Sequence, residues 1–130
     1  MRFPAPRILA LIAVAAGALS GAACSPQVEA PADRGVCWNM VPQTHGPPRF
    51  FKVSSNEPDL EHCAASLERM RLHFLVLGGS IHNVEGAYQG QFLLIDRRGV
   101  FTSSTVRGMP FPFLVRTGDG RLVPPGAPQD

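Results

Sequence analysis

A single stretch of the chain stands out as an amphipathic helix, and it limits the fold to one in which a helix packs on strands. Residues 54–74 read SSNEPDLEHCAASLERMRLHF, with Ser55 and Asn56 as candidate N-caps and Pro58 in the first turn. Apolar side chains at spacings of three and four residues predict one apolar face, made of Leu60, Cys63, Ala64, Leu67, Met70 and Phe74. The next five residues, LVLGG, fit either an extension of the helix or the start of a strand.

The segments on both sides of this helix have the patterns of β-strands. Residues 35–41 and 49–54 precede it, and the apolar run 92–95 follows it. That run leads into the turn sequence DRRG at 96–99, which predicts a hairpin with Gly99 in the left-handed region, forming a bulge. A second hairpin is predicted around TGDG at 117–120. Because every residue of the run 92–95 is apolar, we expect its strand to be central and covered on both faces.

These patterns predict an α+β domain. We expect a small antiparallel β-sheet of four to six strands, with one amphipathic helix packed on it and one disulfide. The predicted organisation is a signal peptide at 1–23, a flexible linker at 24–35, a single domain at 36–124 and a disordered tail at 125–130.

The chain has three cysteines, Cys24, Cys37 and Cys63, so one thiol is left over if two of them pair. Cys63 lies on the apolar face of the helix, and Cys37 lies in a candidate strand. We therefore predict a Cys37–Cys63 disulfide, with Trp38 on the other face of the strand or partly exposed. The spacing of these cysteines does not fit a CxxC redox motif or a zinc site.

The N-terminus has the layout of a secretory signal peptide. Arg2 and Arg7 precede the apolar run ILALIAVAAGAL at 8–19, and small residues follow it. Twelve residues span only about 18 Å as a helix, less than the ~30 Å hydrocarbon core of a membrane. We therefore expect the signal peptide to be cleaved. If the apolar run is counted up to Cys24, an uncleaved membrane anchor is the alternative.

The sequence SGAAC at 20–24, followed by SPQVEAPAD, resembles the signal of bacterial lipoproteins. The resemblance implies that Cys24 becomes the first residue of the mature protein and carries lipid, which makes the membrane a partner. Since Ser25 is not the aspartate that commonly retains lipoproteins at the inner membrane, it also implies an outer-membrane anchor facing the periplasm. The alternative is ordinary cleavage after Ala22 or Ala23, which yields a soluble periplasmic or secreted protein.

The charge of the mature chain gives no reason to expect nucleic-acid binding. Removal of residues 1–23 takes away Arg2 and Arg7 and no acidic residue, which leaves ten basic and ten acidic side chains. A net-neutral domain with scattered arginines lacks the basic patch that nucleic-acid binding needs. We therefore expect no nucleic-acid partner.

No catalytic motif is present: the sequence lacks GxSxG, HExxH, GxGxxG and a Walker loop. The segment SIHNVEG at 80–86 offers His82 and Glu85 as an acid–base pair or half of a metal site. The simpler interpretation of these residues is a polar loop before a strand. We therefore predict no catalytic residue, no cofactor and no metal.

Phe111 and Phe113 stand between prolines in GMPFPFLV, residues 108–115. Proline is tolerated on edge strands, so these rings are a candidate interaction surface for a partner. The alternative is that both rings belong to the core.

Taken together, the sequence predicts a small exported cell-envelope protein that is not an enzyme. It would act as a binding or accessory module for an unidentified envelope protein. The alternatives are a small periplasmic hydrolase or metal-dependent enzyme that uses His82 and Glu85, and a binder of apolar ligands or peptides with a pocket between helix and sheet.

Overall fold

The structure is a computed structural model that describes residues 26–80 and 82–128. This part of the chain contains one helix and seven strands: β1 (Cys37–Val41), β2 (Arg49–Ser54), α1 (Leu60–Val76), β3 (Val84–Tyr88), β4 (Gln91–Asp96), β5 (Gly99–Ser103), β6 (Phe111–Arg116) and β7 (Leu122–Val123). No helix in these ranges is long and apolar enough to span a membrane. Cys24 and the predicted signal peptide lie outside the described residues.

All seven strands form one antiparallel sheet in the order β2-β1-β3-β4-β5-β6-β7. β1 and β2 make a hairpin, and α1 then carries the chain across one face of the sheet to β3, on the other side of β1. From β3 onward each strand pairs with the next one in sequence. β4 is the middle strand of the seven, which confirms the central position predicted from its apolar run. The α+β class is likewise confirmed, although the strand count is higher than the predicted four to six.

The sheet has more strands than predicted because one turn and one short strand gave little signal in the sequence. β3 and β4 are joined by Gln89 and Gly90, whose φ values are 45° and 84°. A two-residue hairpin turn with both central φ values positive normally carries Asn-Gly or Asp-Gly, so Gln-Gly gave only a weak signal. β7 has only two residues, too few for a pattern. The turn at Arg97 and Arg98 was predicted, and Gly99 has the expected positive φ, 148°. The predicted bulge is not formed in this hairpin, because Asp96 pairs directly with Gly99 and the register of β4 and β5 has no shift.

The helix begins later than predicted. Its N-cap is Asp59, whose carboxylate accepts a hydrogen bond from the backbone N–H of His62 at 2.9 Å. Ser55 and Asn56 are therefore not the cap, and Pro58 precedes the helix instead of standing in its first turn. Several residues that can cap a helix follow one another here. The one that forms the cap, Asp59, directly precedes Leu60, the first residue of the apolar face.

The helix also ends later than Phe74. It continues through Val76 and is capped at Leu77, with Gly78 at a φ of 84°, so the undecided LVLGG segment mostly extends α1. The predicted apolar face is correct up to Met70, which packs against the core. Phe74 is 44% exposed, because the last turns of α1 extend beyond the buried surface of the sheet.

The core lies between α1 and the sheet, and the predicted disulfide lies within it. Cys37 and Cys63 are bonded, with their Cα atoms 5.3 Å apart and both residues fully buried. Trp38, the next residue of β1, is half-buried, as predicted. The buried residues of this core are Cys37, Cys63, Ala64, Leu67, Val84, Tyr88, Leu93, Ile95 and Val100.

Candidate functional site: an apolar pocket on the second face of the sheet

The face of the sheet that points away from α1 is also largely apolar, and we call it the second face. Gly86 shows which side chains belong to it. An added Cβ at Gly86 would lie 2.5 Å from Leu67 Cδ1 on α1, so position 86 faces the helix. Neighbouring strand residues point to opposite faces, so Glu85 and Ala87 point away from the helix.

The strand register arranges the side chains of the second face in two rows that cross the sheet. The first row contains Lys52, Trp38, Ala87, Phe92 and Ser103. The second row contains Phe50, Met40, Glu85, Leu94, Phe101 and Pro112. Directly opposed side chains on one face of an antiparallel pair lie close enough to touch, so each row is a continuous surface.

The loop between β5 and β6, residues 104–110, folds over part of these rows. The hydroxyl of Ser103 donates to the Thr105 carbonyl at 2.7 Å, and the Gly108 N–H donates to the same carbonyl at 3.2 Å. An added Cβ at Gly108 would lie 2.5 Å from Thr105 Oγ1 and 2.6 Å from Ser103 Oγ, so a larger residue here would require both hydroxyl groups to move. The loop is thereby held against the sheet.

Sheet and loop enclose a pocket of about 100 Å³ that opens to solvent. Its floor is the second row together with Phe92, and its wall is the loop. The lining residues are Met40, Glu85, Phe92, Leu93, Leu94, Phe101, Thr102, Ser103, Thr105, Val106, Gly108 and Pro110. Apolar side chains dominate, with a few polar groups at defined positions, which is the usual make-up of a small-molecule site.

Glu85 is the charged side chain of the pocket. It stands in the second row between Met40 and Leu94 and is partly buried. Within the described ranges its carboxylate makes no ion pair. The pocket therefore combines an apolar floor with one acidic group.

His82, the proposed partner of Glu85, lies elsewhere. It is exposed and lines a groove of about 490 Å³ with Asn83, Asp96, Arg97 and Arg98, whereas Glu85 lines the smaller pocket on the second face. Across the described ranges, no group of three or more His, Cys, Asp or Glu side chains is placed to hold a metal ion. The two residues do not form a common site in this geometry.

Arginines and carboxylates form a buried ionic cluster next to the core. Glu68 accepts hydrogen bonds from Arg71 at 2.8 and 3.0 Å and from Arg116 at 2.8 Å, and all three side chains are largely buried. Burial tends to raise the pKa of Glu68, but the hydrogen bonds and charges of the two arginines outweigh it and hold that pKa below its usual value. The cluster ties α1 to β6, so we regard it as a structural feature.

The two phenylalanines of β6 have different surroundings. Phe111 is 67% exposed and follows the still more exposed Met109 (81%), whereas Phe113 packs against the core. β7 pairs with Val115 and Arg116, so among the described residues the first half of β6 forms a free edge of the sheet. Of the predicted interaction surface, Phe111 is thus the exposed part.

The pocket on the second face was not predicted from the sequence, although part of its signal was present. The run 92–95 indicated that the second face would be covered, and β4 does contribute Phe92 and Leu94 to the pocket. The element that covers this face is a loop, whose sequence has no hydrophobic periodicity. Met40 and Phe101, which lie in the same row across the sheet, are far apart in sequence. The alternative predicted from the sequence was a ligand pocket between helix and sheet. The buried side chains of the core occupy that space.

Comparison of the chain with protein-family models, with curated proteins and with solved structures finds no match.

Proposed function

We propose that this chain is an exported, non-enzymatic binding module whose binding site is the pocket on the second face. The observation that carries the proposal is the pocket itself, an apolar concavity with a loop as its wall. We further propose that the module is anchored to the outer membrane by lipid on Cys24 and works in the periplasm. The Cys37–Cys63 disulfide supports an oxidising compartment.

The size of the pocket indicates the size of its ligand. An apolar cavity of about 150 Å³ in another protein accommodates the six carbons of benzene, so a pocket of about 100 Å³ should enclose about four carbons, and because it opens to solvent the end of a chain of up to about six carbons can project from it. Pentan-1-ol is a neutral probe of this size. A Kd of about 1 mM, or about −4 kcal/mol, is expected, well within the ceiling for six heavy atoms.

Substitution of Leu94 by Phe should weaken the binding of pentan-1-ol at least about tenfold. Leu94 lies in the floor of the pocket between Glu85 and Phe101, and the larger ring would occupy the space of the probe. Ligand-detected NMR titration measures the affinity. The matched control is Leu72→Phe on the exposed side of α1, and His82→Ala is a second control outside the pocket.

Equal binding by wild type and Leu94→Phe, or no binding by either, would reject the pocket as the site. Thermal unfolding of each variant shows whether the fold is intact. If Leu94→Phe does not fold, Val106→Phe in the loop wall serves the same purpose, because Val106 is 42% exposed and tolerates a larger side chain.

The proposed anchor has its own test. Intact mass of the protein from bacterial membranes should show a diacylglyceryl-sized increment on a chain that begins at residue 24, and Cys24→Ser should leave the precursor uncleaved. A mature chain that begins at residue 23 or 25 without lipid would refute the anchor and leave the binding site unaffected.

A second candidate, an envelope protein partner, is favoured by the exposed Phe111 and Met109 beside the free half of β6. Unpaired backbone groups on an edge can accept a strand from another protein. Pro112 removes one N–H from this edge and so limits the length of such a pairing. This surface adjoins Pro110 at the pocket, so a partner here would also contact the loop wall.

A further inference from the structure

Glu85 is the feature of the pocket that apolar-ligand binding alone does not explain. Its cross-strand neighbours on the second face are Met40 and Leu94, and the next residue along the row is Phe101. A carboxylate that is partly withdrawn from water needs a partner that replaces the lost hydration. The pocket lining supplies none of opposite charge.

Among the described residues no basic side chain forms an ion pair with Glu85, including the exposed Arg107 of the loop wall. The two that stand on or beside the strands of the second face are engaged elsewhere or lie too far away. Arg98 stacks over the Phe101 ring, 4.8 Å from its centroid, and its guanidinium pairs with Asp96 at 2.7 Å. Lys52 belongs to β2, two strands from β3, which corresponds to about 10 Å across the sheet. Neither forms an ion pair with Glu85 among the described residues.

We propose that the pocket selects small primary amines, with the protonated amine held by Glu85 and a chain of four to six carbons on the apolar floor. The inference rests on the proposed function, because it names the ligand class of the same site. Charge complementarity carries it: an ammonium group offers three donors and a positive charge to the carboxylate. The ring of Phe92, which also lines the pocket, adds a favourable surface for a cation nearby.

Three probes of equal length and different charge test this inference: pentylamine, pentan-1-ol and pentanoate at neutral pH. We expect wild-type protein to bind pentylamine about tenfold more tightly than pentan-1-ol, and pentanoate more weakly than either. Glu85→Gln keeps the shape of the side chain and removes its charge, so it should lower the affinity for pentylamine about tenfold relative to that for pentan-1-ol and thereby abolish the preference for the amine. Glu61→Gln, an exposed site on α1, is the control with the same change in net charge.

The outcomes separate this inference from the proposed function. Binding of pentan-1-ol and pentylamine with equal affinity would overturn the amine selectivity and leave the pocket as a binding site. Failure of all three probes to bind would overturn both. The comparison of the probes on wild-type protein needs no variant, so it decides the question even if Glu85→Gln does not fold.

Discussion

Replacement of Cys63 by Ala should lower the free energy of unfolding by about 2–5 kcal/mol. The bond to Cys37 closes a loop across 26 positions and fastens the first turn of α1 to the start of β1. Loss of the bond frees this loop in the unfolded chain, and the buried methyl group of alanine leaves part of the former sulfur volume empty. Urea unfolding of the oxidised wild type and of the variant measures the difference.

Cys37→Ala should have nearly the same effect, and the double substitution should add little, because each single change already removes the one bond. Two free thiols in the unfolded, unreduced wild type would contradict the account. So would a variant as stable as the wild type under the same conditions.

Substitution of Glu68 by Gln should cost about 3 kcal/mol of stability. The change keeps the shape of the side chain but leaves the buried Arg71 and Arg116 without their shared carboxylate. The positive charges of Arg71 and Arg116 then lie close together in a buried site where little water can solvate them. The matched control is Asp119→Asn, since Asp119 and Arg121 form an ion pair on the surface and should contribute little.

The same carboxylate makes stability depend on acid pH. Its pKa in the folded protein lies below its ordinary value of 4.5, so the unfolded chain takes up the proton first as pH falls. The stabilisation is thus complete above about pH 4.5 and is lost as pH falls through the folded pKa. Stability of the wild type should drop more steeply across this range than that of Glu68→Gln. Equal slopes for the two proteins, or a Glu68→Gln variant as stable as Asp119→Asn, would refute the role of the cluster.

The parts of the fold that were predictable are those encoded by local periodicity. The spacing of Leu60, Cys63 and Leu67 indicated the buried face of α1, and the position of Cys63 on that face indicated the disulfide. The cap at Asp59 was missed because several residues before it can also cap a helix. Phe74 continues the spacing but is exposed, since periodicity does not show where the underlying sheet ends.

The candidate site was less predictable because it depends on register. Met40, Glu85 and Leu94 become neighbours only when β1, β3 and β4 pair as they do. Glu85 was noticed for its proximity in sequence to His82, yet its structural neighbours are apolar. The ionic cluster was unpredictable for the same reason. Glu68 and Arg71 are neighbours on α1, but Arg116 reaches Glu68 only because β6 brings it from a distant part of the chain.

The central claim is that the second face of the sheet, and not the helix side, binds small apolar molecules. Methyl-detected NMR during a pentan-1-ol titration tests it most directly. The account predicts shifts for methyl groups of Met40, Leu94 and Val106, which line the pocket, and little change at Leu67 on the opposite face. Shifts confined to the exposed end of α1, or no shifts at all, would contradict it.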